Sequence, residues 1–179
     1  PTTVTSSASS INRLRSTPVL SGDTPGWMTG PELEHEMTKL HETIETALSP
    51  AATFDFVADF ANSMHWDPGV ATSERIDAGP VDVGARYKLG IRMRGNVVPM
   101  EYRVSEFEPG RRVVLIGEGS GVNAVDEIRF EPAGTGTRVD YTADINLGGW
   151  MRLVQPFVGG TFEKIAKDAL GGMQRALDE

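Results

Sequence analysis

The stretch TFEKIAKDALGGMQRAL, from Thr161 to Leu177, tells most about the architecture of this chain. Its apolar residues recur at steps of three and four, which places them on one face of a helix. They are Phe162, Ile165, Ala166, Ala169, Leu170, Met173, Ala176 and Leu177. Charged and amide side chains occupy the opposite face, which we expect to contact water. A helix this one-sided needs a broad apolar surface to pack against.

The preceding part of the chain supplies such a surface, because residues 70–145 have the pattern of successive strands. In the clearest of them, Tyr87, Leu89 and Ile91 alternate with basic residues, a period typical of a half-buried strand. We predict six strands in this region and one more over 40–48. Their connections are of hairpin length, which indicates antiparallel neighbours.

Two short helices are predicted after the first strand. Ser49 and Pro50 are residue types favoured at the N-cap and the first helical position, and the helical spacing continues to Ala61. A second helical turn over 61–68 ends at a Pro-Gly pair. The sequence therefore predicts an α+β fold, a curved antiparallel sheet of about seven strands wrapped around a long C-terminal helix.

Glycine-rich segments and the last connection are interpreted from their setting. Segments 117–121 and 134–136 lack the Lys-Ser/Thr pair of a phosphate-binding loop and are predicted to be hairpin turns. The apolar segment LGGWMRLVQPFVGG, residues 147–160, connects the last strand to the last helix. A helix through 150–154, interrupted near Pro156, is predicted there.

Composition divides the chain into a tail and one domain. Residues 1–36 are rich in Ser, Thr, Pro and Gly without periodicity, which predicts a disordered tail or an added extension; an organellar transit peptide is the alternative. Residues 37–179 form the predicted domain. With 39% hydrophobic residues in 179, the chain can bury a real core.

Charge and cysteine content limit the partners and the chemistry. A formal net charge of -8 argues against nucleic acid as a partner. The absence of cysteine excludes disulfides, thiol catalysis and Cys-ligated metals, and it fits a cytoplasmic location. The three histidines have no close spacing, so we expect no metal site and no cofactor. No apolar run approaches the roughly 20 residues that span a bilayer.

Three segments and the glycine-interrupted last helix, taken in order, resemble a known superfamily. They are HETIETALSPAATFDFVADFANSMHWDPGV at 41–70, FEPGRRVVL at 107–115 and FEPAGTGTRVDYT at 130–142. Their order resembles the START-like (SRPBCC) superfamily, which includes the birch-pollen-allergen proteins and the polyketide cyclase/dehydrase family, and it implies the helix-grip form of the α+β fold. The resemblance implies a cavity between sheet and long helix, in which family members hold lipids, polyketides or aromatic molecules and a minority catalyse reactions.

Candidate ligand-binding residues are those that alternation directs toward that cavity. They are Trp66, Tyr87, Leu89, Ile91, Met100, Tyr102, Ile128, Tyr141 and Phe162. The alternative is that each is a core residue without contact to any ligand. Either assignment depends on register, because a shift of one residue moves a strand's whole apolar set to the other face.

Polar residues on apolar faces are the candidates for chemistry. Glu42 shares a face with Leu40, and Asp126 shares one with Ile128, so each could be a buried acid or base or could anchor a ligand hydroxyl. Tyr102 and His65 complete the set of weak catalytic candidates. The alternative is a solvated strand end or an ion pair for the acids, and a packed or capping role for His65.

Three functions remain open on this sequence. The first is a non-catalytic carrier or sensor of a hydrophobic small molecule, such as a lipid, polyketide or aromatic compound. The second is an enzyme similar to polyketide cyclases and dehydratases. The third is a membrane-surface or protein-interaction module that uses residues 147–160. The oligomeric state, monomer or homodimer, also stays open.

Overall fold

The computed structural model describes residues 38–93, 95–148 and 155–178, with the backbone alone at 93 and 155–166. The elements in chain order are β1 (Thr38–Thr46), α1 (Pro50–Ala58), a 3₁₀ turn (Phe60–Asn62), α2 (Ser63–Trp66), β2 (Val70–Arg75), β3 (Arg86–Met93), β4 (Asn96–Glu108), β5 (Arg112–Gly119), β6 (Val122–Ala133), β7 (Gly136–Leu147) and α3 (Gln155–Asp178). This confirms the predicted α+β helix-grip fold.

The seven strands form one antiparallel sheet in the order β1-β7-β6-β5-β4-β3-β2. Each strand from β2 to β6 pairs with the next along the chain, as hairpin connections require, and β1 completes the sheet by pairing with β7. Helices α1 and α3 pack on one face of this sheet, here called the inner face. The core lies between that face and the helices.

Helix α1 begins as predicted but ends earlier. The Ser49 hydroxyl accepts a hydrogen bond from the amide of Ala52 at 3.4 Å, and Pro50 is the first helical residue. The prediction that the helix reaches Ala61 is wrong, because it ends at Ala58. Asp59 takes an extended conformation there, and its carboxylate caps the 3₁₀ turn by accepting from the amide of Ala61.

The described part of α3 has the predicted orientation. Leu170, Met173 and Leu177 are buried, while Lys167 and Arg175 are exposed. Of the predicted apolar face, the side chains of Phe162, Ile165 and Ala166 lie outside the described residues, as does the predicted helix over 150–154. Helix α3 includes Pro156 in its first described turn, and whether a helix precedes it stays a prediction.

Helix α3 also contacts α2 closely at Gly172. A Cβ at this position would overlap the carbonyl oxygen of Trp66 and lie 3.2 Å from Cδ of Pro68. A glycine therefore lets the backbones of the two helices approach each other. Trp66 and Pro68 on one side and Gly172 on the other therefore form one contact.

Two predictions about the strands are wrong. Strand β1 covers Thr38–Thr46 rather than 40–48, and Leu48 beyond its end is 38% exposed. Segment 117–121 is not all turn, because β5 continues to Gly119, and Gly121 is the glycine of this segment that takes a positive φ. Strand β5 is also buried on both faces, because it is the central strand of the seven.

Candidate functional site: a buried carboxyl on the inner face of the sheet

Asp126 of β6 lies on the inner face, as the alternation predicts. It is 4% exposed, and its same-face neighbours Ala124, Ile128 and Phe130 are all buried. Across the sheet it lies opposite Ala143 of β7 and Leu115 of β5. An acid in apolar surroundings is costly unless it is protonated or hydrogen-bonded, so its partners decide its state.

Two phenols are the hydrogen-bonding partners of the Asp126 carboxyl. The hydroxyls of Tyr141 on β7 and Tyr102 on β4 donate to it. Burial nevertheless dominates and raises the pKa of Asp126 to about 7, with the two phenols acting in the opposite direction and the charges of Asp67 and Asp144 adding to the rise. Asp126 can therefore be either proton donor or acceptor near neutral pH.

The two tyrosines are held neutral by the same surroundings. Burial, followed by the nearby Asp126 charge, raises the pKa of Tyr102 and of Tyr141 well above the usual value. Each phenol is thus a permanent hydrogen-bond donor at physiological pH. Both were candidates for ligand contact in the sequence, and the sheet brings them to opposite sides of one carboxyl.

Asp67 is a second acid at the site, half-buried, which the sequence analysis missed. It follows α2 directly, and its Oδ1 accepts a hydrogen bond from the amide of Gly69 at 2.7 Å. Burial raises its pKa to about 6, against the opposing effects of that hydrogen bond and of the Arg92 charge. The charge of Asp67 also acts on Asp126 and on both tyrosines, so the four groups form one electrostatic unit. We call Asp67, Tyr102, Asp126 and Tyr141 the acid–phenol cluster.

An aromatic group centred on Phe60 borders this cluster. The Phe60 ring centroid lies 5.5 Å from Tyr102, 5.9 Å from Trp66 and 6.2 Å from Tyr87. Trp66 in turn lies 6.4 Å from Tyr141, edge to face. Phe60 was not among the predicted ligand-binding residues, because its helical spacing indicated only a core position.

The predicted ligand-binding residues share the inner side of the molecule. Trp66, Tyr87, Leu89, Met100, Tyr102 and Ile128 are buried, and Ile91 and Tyr141 are partly buried. The side chain of Phe162 lies outside the described residues. The indole nitrogen of Trp66 is buried without a hydrogen-bond partner within the described parts of the chain. Burial, followed by the Asp59 charge, raises the pKa of Tyr87.

Glu42 and His65, the other two catalytic candidates, differ in their position relative to the acid–phenol cluster. Glu42 of β1 is half-buried and opposite Tyr141 in the register. His65 is exposed and lines a groove of about 310 Å³ between α2 and the end of α3. Its neighbours in that groove include Met64 and Arg175. His65 is therefore far more open to water than Asp126.

Neither a metal cluster nor a membrane span is found in the described ranges. Residues 38–93, 95–148 and 155–178 hold no group of three or more His, Asp or Glu side chains arranged to bind a metal ion. None of the helices described in those ranges has the length and hydropathy to cross a bilayer. Most of the apolar segment 147–160, proposed as a membrane or interaction surface, lies outside the described residues or is described by its backbone alone.

Comparison with solved structures supports the fold. A Thermus thermophilus protein is 17% identical, with a TM-score of 0.67, over 78% of this chain and 96% of its own. An aromatase/cyclase of Streptomyces sp. R1128 is 14% identical, with a TM-score of 0.66, over 78% and 93%. A START superfamily protein of Mycobacterium smegmatis is 17% identical, with a TM-score of 0.60, over 76% and 97%. At these identities the likeness concerns the fold alone.

Comparison of the sequence itself gives the family. No curated protein matches the chain significantly. A family model described as polyketide cyclase / dehydrase and lipid transport matches residues 37–178, which contain every element of the sheet and all the helices described above. This chain therefore belongs to the polyketide cyclase/dehydrase and lipid transport family.

Proposed function

We propose that this protein binds a hydrophobic, aromatic small molecule that carries a hydroxyl group, between the inner face of the sheet and α3. The observation that carries the proposal is Asp126, a buried carboxyl surrounded by apolar residues whose hydrogen-bonding partners are two phenols. A carboxyl held this way has acceptor capacity left for one more hydroxyl. The apolar neighbours would supply affinity, and Asp126 would supply selectivity for the hydroxyl.

The family description and the neighbouring rings support a ligand of this class. The family is described by polyketide chemistry and lipid transport, and both kinds of molecule are apolar and oxygen-bearing. Trp66, Phe60 and Tyr141 present ring faces and edges beside the cluster, which favours an aromatic ligand. The indole N–H of Trp66, which has no hydrogen-bond partner among the described residues, is a further donor for a ligand oxygen.

A matched pair of probes tests this proposal. 2-Naphthol and 2-methylnaphthalene have nearly the same shape and differ by a hydroxyl in place of a methyl group. We expect the hydroxylated probe to bind about tenfold more tightly, as one hydrogen bond to a buried carboxyl predicts. Stability shifts measured at several concentrations of each probe give both affinities. Equal affinities would contradict the proposal.

Two variants decide where the probes bind. Asp126→Leu should bring the ratio of the two affinities close to one without abolishing binding, because it removes the acceptor and keeps an apolar side chain. Ala143→Trp should abolish binding of both probes in a folded protein, because Ala143 lies opposite Asp126 on the same face. Unchanged affinities in both variants would place the probes elsewhere, for example in the groove beside His65.

A proton-transfer enzyme is the second candidate, and the pKa values favour it. Asp126 and Asp67 titrate at about 7 and about 6, so each can exchange protons with a ligand near neutral pH. Cyclisation and dehydration of polyketides both require such transfers, and a structural neighbour is described as an aromatase/cyclase. Asp126 would be the acid or base, and Tyr102 would hold the carbonyl oxygen of the substrate.

Deuterium exchange into 2-tetralone would separate enzyme from carrier. This bicyclic ketone loses an α-proton to a base, and NMR follows the exchange in D₂O. An enzyme should accelerate the exchange, Asp126→Asn should abolish the acceleration, and Glu42→Gln should show whether the half-buried acid of β1 contributes. A rate equal to that of the buffer alone would leave the binding function without catalysis of this kind.

A further inference from the structure

Tyr102 and Asp126 are separated by a whole strand, yet their side chains meet. Tyr102 is on β4 and Asp126 is on β6, with β5 between them. In the register, Tyr102 lies opposite Gly117 of β5, and Gly117 lies opposite Ala124 of β6, two residues from Asp126 on the same face. A side chain at position 117 would project between β4 and β6 and would keep the ring of Tyr102 from reaching across β5.

The Tyr102 ring lies directly over the backbone of Gly117. A Cβ at position 117 would lie 2.6 Å from both Cε1 and Cζ of Tyr102, and 3.1 Å from Cδ1. Cζ is the ring carbon that bears the hydroxyl. The outer end of the ring therefore crosses β5, which directs the hydroxyl toward β6 and its carboxyl.

We infer that Gly117 is a positioning residue, whose missing side chain allows Tyr102 to reach across β5 and donate its hydrogen bond to Asp126. Glycine inside a strand usually weakens it and often marks a close approach of another group. Here that group is the phenol ring of the acid–phenol cluster. The inference deepens the proposed function, since it explains how the selective end of the ligand site is built.

Gly119 provides a matched comparison within the same strand. It is two residues from Gly117 and therefore faces the same side. A Cβ there would lie 2.8 Å from Cγ of Met100, a flexible side chain without a hydroxyl. Gly119→Ala thus introduces a similar crowding on β5 without touching the hydrogen bond to Asp126.

The titration of Asp126, followed by carboxyl-carbon NMR without any ligand, tests the inference. Gly117→Ala should raise the apparent pKa of Asp126 as much as Tyr102→Phe does, because both remove one donor to the carboxylate. The double variant should show no further rise, and Gly119→Ala should show none. The other groups that act on Asp126, which are Tyr141, Asp67 and Asp144, are the same in all four proteins. An unchanged pKa in Gly117→Ala, or additive shifts in the double variant, would overturn the inference.

A second measurement covers the case in which Gly117→Ala does not fold. In a Tyr102→Ala background the colliding ring is absent, so adding Gly117→Ala should leave the melting temperature almost unchanged. An equal loss with and without the ring would show that position 117 requires glycine for the strand itself and would overturn the inference. Because neither measurement uses a ligand, the inference can hold even if 2-naphthol and 2-methylnaphthalene bind equally, which would refute only the proposed function.

Discussion

Asp126 and Glu127 are adjacent acids on β6 that point to opposite faces of the sheet, and their surroundings differ accordingly. Glu127 on the outer face accepts from Nε of Arg112 at 2.5 Å and from Nη2 of Arg129 at 2.6 Å, and its side chain is 29% exposed. Asp126 on the inner face is 4% exposed and has phenols as its hydrogen-bonding partners. Glu127 is thus neutralised by arginines at a partly exposed position, whereas Asp126 can hold or release a proton near neutral pH.

The outer face is a surface of compensated charges. Arg112 contacts Glu106 as well as Glu127, at 2.5 Å in each case, and Arg86 pairs with Glu101 at 3.0 Å. Such partly exposed pairs contribute little to stability one by one. The difference between the faces indicates that the outer charges serve solubility, while the inner acids carry a free-energy cost that a binding site would explain.

The largest expected effect is the pH dependence that Asp126 imposes on stability. An aspartate in an unfolded chain has a pKa of 3.8, whereas the pKa of Asp126 in the folded protein is about 7. Between these values the unfolded chain releases a proton that the folded protein retains, so stability falls as pH rises and the loss is complete above the folded pKa. A difference of about three pKa units corresponds to about 4 kcal/mol.

Asp126→Asn should remove this dependence. Relative to the parent protein, the variant should gain about 4 kcal/mol in the free energy of unfolding between roughly pH 4 and pH 8. Urea unfolding at the two pH values measures the change, and the amide keeps the size of the side chain. Parallel pH profiles for the two proteins would mean that Asp126 titrates as an ordinary surface acid, and the contrast between the faces would lose its electrostatic basis.

The adjacent glycines Gly171 and Gly172 of α3 are a second pair of neighbours in different surroundings. Here the difference is steric, and the expected effect on the free energy of unfolding is smaller. A Cβ at 172 would overlap the Trp66 carbonyl oxygen, whereas the one described atom near a Cβ at 171 would be Nη1 of Arg175, at 3.6 Å. Gly172→Ala should destabilise the protein by about 1–3 kcal/mol, because α3 must move away from α2. Gly171→Ala should be neutral or stabilise by up to about 1 kcal/mol, because alanine is the better helix former.

Thermal or urea unfolding of Gly171→Ala and Gly172→Ala measures the change in the free energy of unfolding for each variant. Each variant is the other's control, since the substitution and the helix are the same and only the direction of the new methyl group differs. Equal effects at 171 and 172 would show that helix propensity rather than the contact with Trp66 sets the requirement for glycine.

Alternation predicted the sheet and the inward direction of Asp126, because side chains on a strand point to opposite faces in turn. Asp67 could not be found in this way, since it follows a four-residue helix where neither period applies. Gly117 was misread because a glycine in a strand and a glycine in a turn look alike until the partner strand is known. What the sequence lacked was the set of contacts across strands, which joins Tyr102, Gly117 and Asp126 into one site.

The smallest expected effect on stability is that of replacing Glu127, the acid on the outer face. Glu127→Gln should lower the free energy of unfolding by less than about 1 kcal/mol, because Arg112 keeps Glu106 as a partner and retains Glu108 at 3.3 Å. The loss should shrink further in 1 M salt, where exposed charges are screened over about 3 Å. Unfolding in low and high salt measures both, and Asp126→Asn should be far less sensitive to salt. A loss of several kcal/mol in Glu127→Gln would mean that the outer network is structurally essential, and the division of roles between the two faces would fail.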